Sequence, residues 1–308
     1  MPTLDVRHVT TYRYARPVGF GEHRAMLRPR DSHDLKLRSA TLSVSPKAKV
    51  RWVHDVFGNS VTLFDFGDER ATELRVESRL ALDRYAASSP DCPVSPEARH
   101  WPFAYGDQER RDLGPTLDRH YPDPQGRVRD WARSFADDGD TDTVLLLAAM
   151  TKGMKASFTY AARDDEGTQP PAETLEKRSG SCRDYALLMM EGARSLGLAA
   201  RFVTGYLYSP ALDRGAGDGD GDDIARPDVQ GAGATHAWVQ VYLPGAGWLE
   251  FDPTNGLVGG PDLIRVAVVR DPTQAAPLAG TYKGAAGDFV GIDVSVEVTR
   301  RDPTVIPG

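Results

Sequence analysis

Cys182 sits where chemistry is possible, in RSGSCRDYALLMMEGARSLGLAARFVTGYLY, residues 178–208. Ala186, Met189, Ala193 and Leu196 recur at helical spacing behind it, and Gly180-Ser181 offer a turn and a cap in front. Gly197 stands where a helix C′ glycine belongs, and AARFVTGYLY reads as the strand that follows. Cys182 therefore falls at or near the first helical position. Free amides and the positive end of the helix dipole favour thiolate there, and the same amides can donate to an oxyanion. Asp184 suits the dipole as well, which explains it without a catalytic part.

A nucleophile needs a base, and of the seven histidines only His236 lies beyond Cys182. It opens THAWVQVYLPGAGWLEFDPTNG, residues 235–256, which reads as a β-hairpin. His236, Trp238, Gln240 and Tyr242 share one face of the first strand, with Ala237, Val239, Val241 and Leu243 on the other. On the second strand Trp248, Glu250 and Asp252 share a face, and Pro253 ends it. A loop centred on Pro244 sets Asp252 directly across from His236, and that register, or a bulge of equal effect, is expected. A two-residue turn at Gly245-Ala246 would instead put Asp252 opposite Val239, about 10 Å of strand away. Cys, His and Asp so arranged make a thiol triad, in which the histidine takes the thiol proton and the aspartate holds its tautomer.

Elements must carry these groups. The first ninety residues hold β-branched, alternating runs (VRHVTTYRY, ATLSVSP, KVRWVHDVFGNSVTLFDFG, ATELRVESRLAL), with a hairpin turn at Phe57-Gly58-Asn59-Ser60. SSPDCPVSPEARHWPFAY is a proline-rich connector, and Cys92 within it reads as incidental. Val128, Trp131, Ala132 and Phe135 form a helix stripe, and Asp140-Thr141-Asp142-Thr143 offers caps for a second helix through VLLLAAMTKGMKASF. DFVGIDVSVEVTR alternates strictly and predicts a half-buried strand with Val290, Ile292, Val294, Val296 and Val298 on one face. The expected organisation is an α+β chain: an N-terminal antiparallel β-sandwich over 1–88, the connector over 89–124, a core over 125–275 and a C-terminal strand segment over 276–308.

Composition narrows the partners. A net charge of −7 supplies no basic excess for nucleic acid or an anionic membrane. No apolar run reaches bilayer length, and MPTLDVRHVTTYRY lacks a secretory h-region. A cytoplasmic location with reduced thiols is the expectation. With no CxxC, no HExxH and scattered histidines, neither metal nor cofactor is expected. The acidic, glycine-rich segment 213–233 carries Asp218, Asp220 and Asp222 at EF-hand spacing. It has Asp223 where glycine is required and Val229 in place of the closing glutamate, so it reads as a surface loop.

The blocks TLEKRSGSCRDYALLMMEGARSLGLAARFVTGYL and THAWVQVYLPGAGWLEFDPTNG resemble the transglutaminase-like superfamily, in particular its bacterial two-domain branch of candidate cysteine proteases. TYRYARPVGFGEHRAMLRPR with DVFGNSV is similar to that branch's N-terminal β-domain, and GTYKGAAGDFVGIDVSVEV to its last strand. The resemblance implies a papain-like core with Cys182 as nucleophile, His236 as general base and acid, and Asp252 as orienter. The Cys182 backbone N–H is one oxyanion candidate, and Tyr160 in SFTY another. The implied reaction is acyl transfer through a thioester on a peptide or protein substrate. Hydrolysis is preferred; transfer to an amine, or a non-catalytic peptide-binding module, are the alternatives.

Overall fold

The computed structural model describes residues 3–85, 93–137, 140–163, 167–209, 233–260 and 262–301. Cys92 and nearly all of the acidic segment 213–233 lie outside the described residues.

The architecture is α+β. In the N-terminal region β1 (Thr3–Arg28), β2 (Leu35–Ser45), β3 (Lys49–His54), β4 (Ser60–Asp65) and β5 (Arg70–Arg84) run antiparallel in the order β2-β5-β1-β4-β3. Period-2 alternation buries Leu4, Val6, His8 and Thr10 and leaves Asp5 and Arg7 at the surface. β1 is 26 residues long and changes partner midway. Its register against β5 breaks between Arg13 and Val18, and from His23 onward it pairs with β4. The sheet curls there around Tyr14, Val18, Phe20, Phe64, Leu74 and Val76.

The second region contains α1 (Asp107–Leu113), α2 (Arg127–Arg133), α3 (Thr143–Ser157), α4 (Pro171–Lys177) and α5 (Cys182–Ser195). Beside them lie β6 (Ala200–Leu207), β7 (His236–Leu243), β8 (Gly247–Asp252) and β9 (Leu263–Val269), ordered β8-β7-β6-β9 with Leu257–Val258 on the β8 edge. Asp142 caps α3, accepting from Leu145 N at 2.9 Å. α5 ends as its sequence predicts. Gly197 has φ +82°, with Leu198 N bonded to Ala193 O and Gly197 N to Arg194 O, both at 3.0 Å.

α5 departs from an amphipathic reading, because twelve of its fourteen residues are buried. One side packs on Ala237, Val239 and Val241 of β7. The polar side is covered too, since Glu191 and Arg194 pair with each other and bond the surrounding backbone. Each buried leucine or methionine side chain stabilises by about 1.5–3 kcal/mol, so this helix anchors the region.

The proline-rich segment is tied along the second region. Ser95 N donates to Pro244 O (2.8 Å), Trp101 Nε1 to Leu196 O (2.9 Å) and Tyr105 Oη to Tyr242 O (2.8 Å). The hairpin turn forms over Asp55–Asn59 rather than Phe57–Ser60, with Ser60 already in β4 opposite His54, and Asn59 makes two bonds with the backbone of Val268 in β9 (2.8 and 3.0 Å). Leu4, Val6, Leu80 and Leu82 meet Tyr206, Ile264 and Val266 in a shared apolar cluster.

The chain then returns to the first sheet. β10 (Leu278–Lys283) and β11 (Phe289–Arg301) both pair antiparallel with β1, Thr3 lying opposite Arg301. The expected half-buried face of β11 is realised only at its inner end. Val296 is buried, whereas Val290, Ile292 and Val294 are exposed. Among the described residues, no helix is long and apolar enough to cross a membrane.

Candidate active site

Cys182 is the first residue of α5 and retains 6% exposure. Its N–H belongs to the first-turn amides that no helical carbonyl can reach. The turn before it is held by Asp184, which is fully buried. That carboxylate accepts from Ser181 N (2.8 Å), Ser181 Oγ (2.9 Å), Gln169 N (2.7 Å) and Arg163 Nη1 (2.9 Å). Asp184 is thus a structural cap that fixes where Cys182 stands.

β7 and β8 bring His236 and Asp252 together. The ladder runs from Leu243↔Gly247 to Val239↔Phe251, so the loop is Pro244-Gly245-Ala246 and Asp252 falls beside Trp238. This register is neither of the two considered from sequence. A loop centred on Pro244 would bring Ala246 into the ladder opposite Tyr242. Instead Gly245 (φ +81°) lies against the connector, where a Cβ would sit 2.4 Å from Pro93 O. Contact is made all the same, because diagonal neighbours on one face of a sheet are within reach of long side chains. His236 Nε2 donates to Asp252 Oδ2 at 2.8 Å, with both side chains fully buried.

Asp252 is itself fixed. Oδ1 accepts from Thr254 N (2.9 Å) and Asn255 N (3.3 Å), and Oδ2 also accepts from Asn255 Nδ2 (2.8 Å). This is an Asx turn, whose signal in the sequence is the Asp-Pro-Thr-Asn run itself. Burial disfavours the carboxylate, but His236, Asn255 and Thr254 outweigh it and its pKa is lowered.

For His236, burial works against the charged ring, while the charge and hydrogen bond of Asp252, joined by Cys182, work for it. The balance pushes its pKa up to about 10. Its other ring nitrogen, Nδ1, is buried without a hydrogen-bond partner among the described residues. One nitrogen is committed to Asp252, and the other remains available.

Tyr160 comes to the same place. It pairs with Gly180, two residues before Cys182, and its ring meets Tyr185 edge-on at 6.5 Å. Burial first, and the neighbouring Cys182 next, push its phenol up to about 12. Among the described residues no cluster of three or more His, Cys, Asp or Glu side chains is arranged to hold a metal ion.

Sequence reasoning passed over the support behind His236. Trp238 stacks on the imidazole, with centroids 5.9 Å apart and planes at 27°. Gly205, directly across from His236, leaves the room, since a Cβ there would lie 2.9 Å from Trp238 Cη2 and 1.9 Å from Ile264 O.

Known proteins share this arrangement of regions. Residues 4–83 match the bacterial transglutaminase-like N-terminal region, and residues 129–253 match the transglutaminase-like superfamily core. An uncharacterized protein of Mycobacterium tuberculosis is 30% identical over 308 residues, spanning 95% of this chain and 91% of the relative. One from Mycobacterium leprae is 27% identical over 297 residues, 96% of this chain and 98% of its own length. The crystal structure of a candidate cysteine protease from Cytophaga hutchinsonii superposes with a TM-score of 0.67 at 18% identity, covering 99% of this chain and 93% of its own, and so shares the fold. The chain belongs to the transglutaminase-like superfamily, with the bacterial N-terminal region preceding the core.

Proposed function

We propose that the chain is a thiol-dependent acyl-transfer enzyme, a cysteine peptidase or amidase acting on peptide or side-chain amides. The observation that carries this reading is the divided imidazole of His236. Nε2 is bound to Asp252, Nδ1 is buried without a hydrogen-bond partner among the described residues, and the Cys182 thiol lies close enough to favour the charged ring. A structural histidine in a protein interior has its polar atoms satisfied.

In the proposed cycle Nδ1 takes the Cys182 proton and Asp252 stabilises the imidazolium. Sγ attacks the amide carbonyl carbon, and the oxyanion is met by the Cys182 N–H, with Tyr160 as the candidate second donor. The C–N bond then breaks as Nδ1–H protonates the departing amine, leaving a thioester. Water adds to the thioester, giving its proton to Nδ1. The C–S bond breaks, the acid departs and the proton returns to sulfur. An amine entering in place of water would give a transamidation product by the same steps.

The test is product analysis with peptide amides and glutamine-containing peptides, with and without an added primary amine, alongside acid-quench mass spectrometry of the Cys182 peptide. Expected are a Cys182-linked acyl intermediate, carboxylic acid as the main product, and a loss of at least about 10⁴-fold in turnover for Cys182→Ala. A dominant amine adduct would make the protein a transglutaminase. Absence of any acyl intermediate, with Cys182 alkylation indifferent to His236→Ala, would leave a peptide-binding module.

A further inference from the structure

Trp238, in an offset, tilted stack beside His236, is the end of a chain of polar contacts that starts in the N-terminal sheet. Its Nε1–H donates to Glu250 Oε1 at 3.3 Å. The same oxygen accepts from Gln240 Nε2 at 3.0 Å and from Arg265 Nη1 at 3.1 Å. Arg265 Nη2 donates to both oxygens of Asp34, at 2.7 and 2.9 Å. Asp34 also accepts from Arg84 Nη1 at 3.0 Å. Asp34 precedes β2 and Arg84 ends β5, so both belong to the N-terminal sheet. The chain is largely withdrawn from water, with side-chain exposures of 8% for Glu250, 25% for Arg265, 13% for Asp34 and 5% for Arg84. Burial works to raise the Asp34 pKa, but Ser32, Arg265 and Arg84 outweigh it and hold the carboxyl well below the usual range.

Docking alone does not call for this chain. The apolar cluster and the Asn59–Val268 bonds already join the two regions, and buried charges are a costly way to add adhesion. What the chain does add is orientation. A ring held by one hydrogen bond, through Nε2, can still swing about that bond and tilt out of plane. An indole stacked beside it restricts both freedoms, provided the indole itself is fixed. Gly205 seats the indole from one side, and Glu250 holds its Nε1 edge.

We propose that Glu250 and Asp34 are positioning residues for His236, because the contacts Asp34–Arg265–Glu250–Trp238 run unbroken from the N-terminal sheet to the stacked face of the imidazole. The N-terminal sheet is then part of the apparatus that aligns the site. This rests on the reading of Cys182, His236 and Asp252 as a working triad.

The test follows iodoacetamide alkylation of Cys182 against pH in the full chain, resolved by peptide mass spectrometry, with thermal melting in parallel. Wild type is compared with Asp34→Asn, Asp34→Glu, Glu250→Gln, Trp238→Phe and His236→Ala. Glu250→Gln and Asp34→Asn are each expected to slow alkylation at pH 7 by about tenfold, the lower end of what losing a histidine's orienting partner costs at metal sites. Their profiles should move to higher pH. Asp34→Glu, which keeps the carboxylate, should recover most of the rate, and a double variant carrying Asp34→Asn with Glu250→Gln should be no slower than the slower single one. Asp34→Asn perturbs the chain from its outer end, so it serves if Glu250→Gln fails to fold. Profiles that superimpose on wild type, with or without a lowered melting temperature, would overturn the proposal while His236→Ala still slows the reaction. An unaltered profile in His236→Ala would instead remove the triad reading, and this proposal with it.

Discussion

Two buried acid–base pairs, one on α5 and one on the hairpin beside it, have the same length. Glu191 and Arg194 meet at 2.8 Å with side-chain exposures of 1% and 0%; His236 and Asp252 meet at 2.8 Å with both at 0%. Around the first pair everything is spoken for. Glu191 accepts from the N–H groups of His120 and Tyr121, and Arg194 donates to the carbonyls of Thr116, Ala200 and Arg270. Around the second pair, Asp252 is equally saturated but His236 keeps one nitrogen in reserve. Burial and pairing strength do not separate a structural pair from a reactive one. Under the function proposed above, what sets the second pair apart is its leftover valence.

The contrast is easiest to break with Asp252→Asn. Loss of the carboxylate leaves the imidazole without its counter-charge and with the wrong tautomer favoured, and turnover is expected to fall about 10³- to 10⁴-fold. Retention of near wild-type rates would mean that Asp252 is no more functional than Glu191. The converse variant is Glu191→Ala. Stranding Arg194 in the interior is expected to cost about 3–5 kcal/mol of stability, read by urea denaturation, while the pH profile of Cys182 alkylation in the folded fraction stays that of wild type. A shifted profile would show the two pairs to be coupled through the helix.

The smallest effect is a pH dependence of stability. His236 has its pKa raised from 6.5 to about 10 in the folded protein. Its contribution is therefore complete below 6.5 and is lost as pH rises through about 10. Asp252 is lowered from 3.8, so its contribution is present above 3.8 and is lost as pH falls through its folded value. The stability difference between wild type and His236→Gln should accordingly be larger at about pH 6 than at about pH 10. A difference that does not change across that window would mean that the ring is neutral in the folded state.

Much of this was readable from residue order, and the unread parts have physical reasons. Helix limits are local: the turn before Cys182 and the left-handed glycine after Leu196 act within a few residues. So are strand faces, which is why the hairpin's His236 and aliphatic sides emerge correctly. Register was missed by two residues, from His236 to Trp238, because the loop's shape is set by Pro93 and Ser95, some 150 positions away. The covered polar side of α5 eluded the hydrophobic pattern for a similar reason. Glu191 and Arg194 look like solvent residues until the backbone of residues 116–121, 200 and 270 closes on them. Glu250, Arg265 and Asp34 are distant in sequence, and nothing local marks them as one chain.

The pairing of β1 with β10 and β11 has a consequence for synthesis. A ribosome releases β1 some 250 to 300 residues before these two partners. Through most of translation one long margin of β1 carries open amide and carbonyl groups, ready to accept any passing strand. Chains halted before residue 278 keep that margin open, and they are the species expected to aggregate during expression.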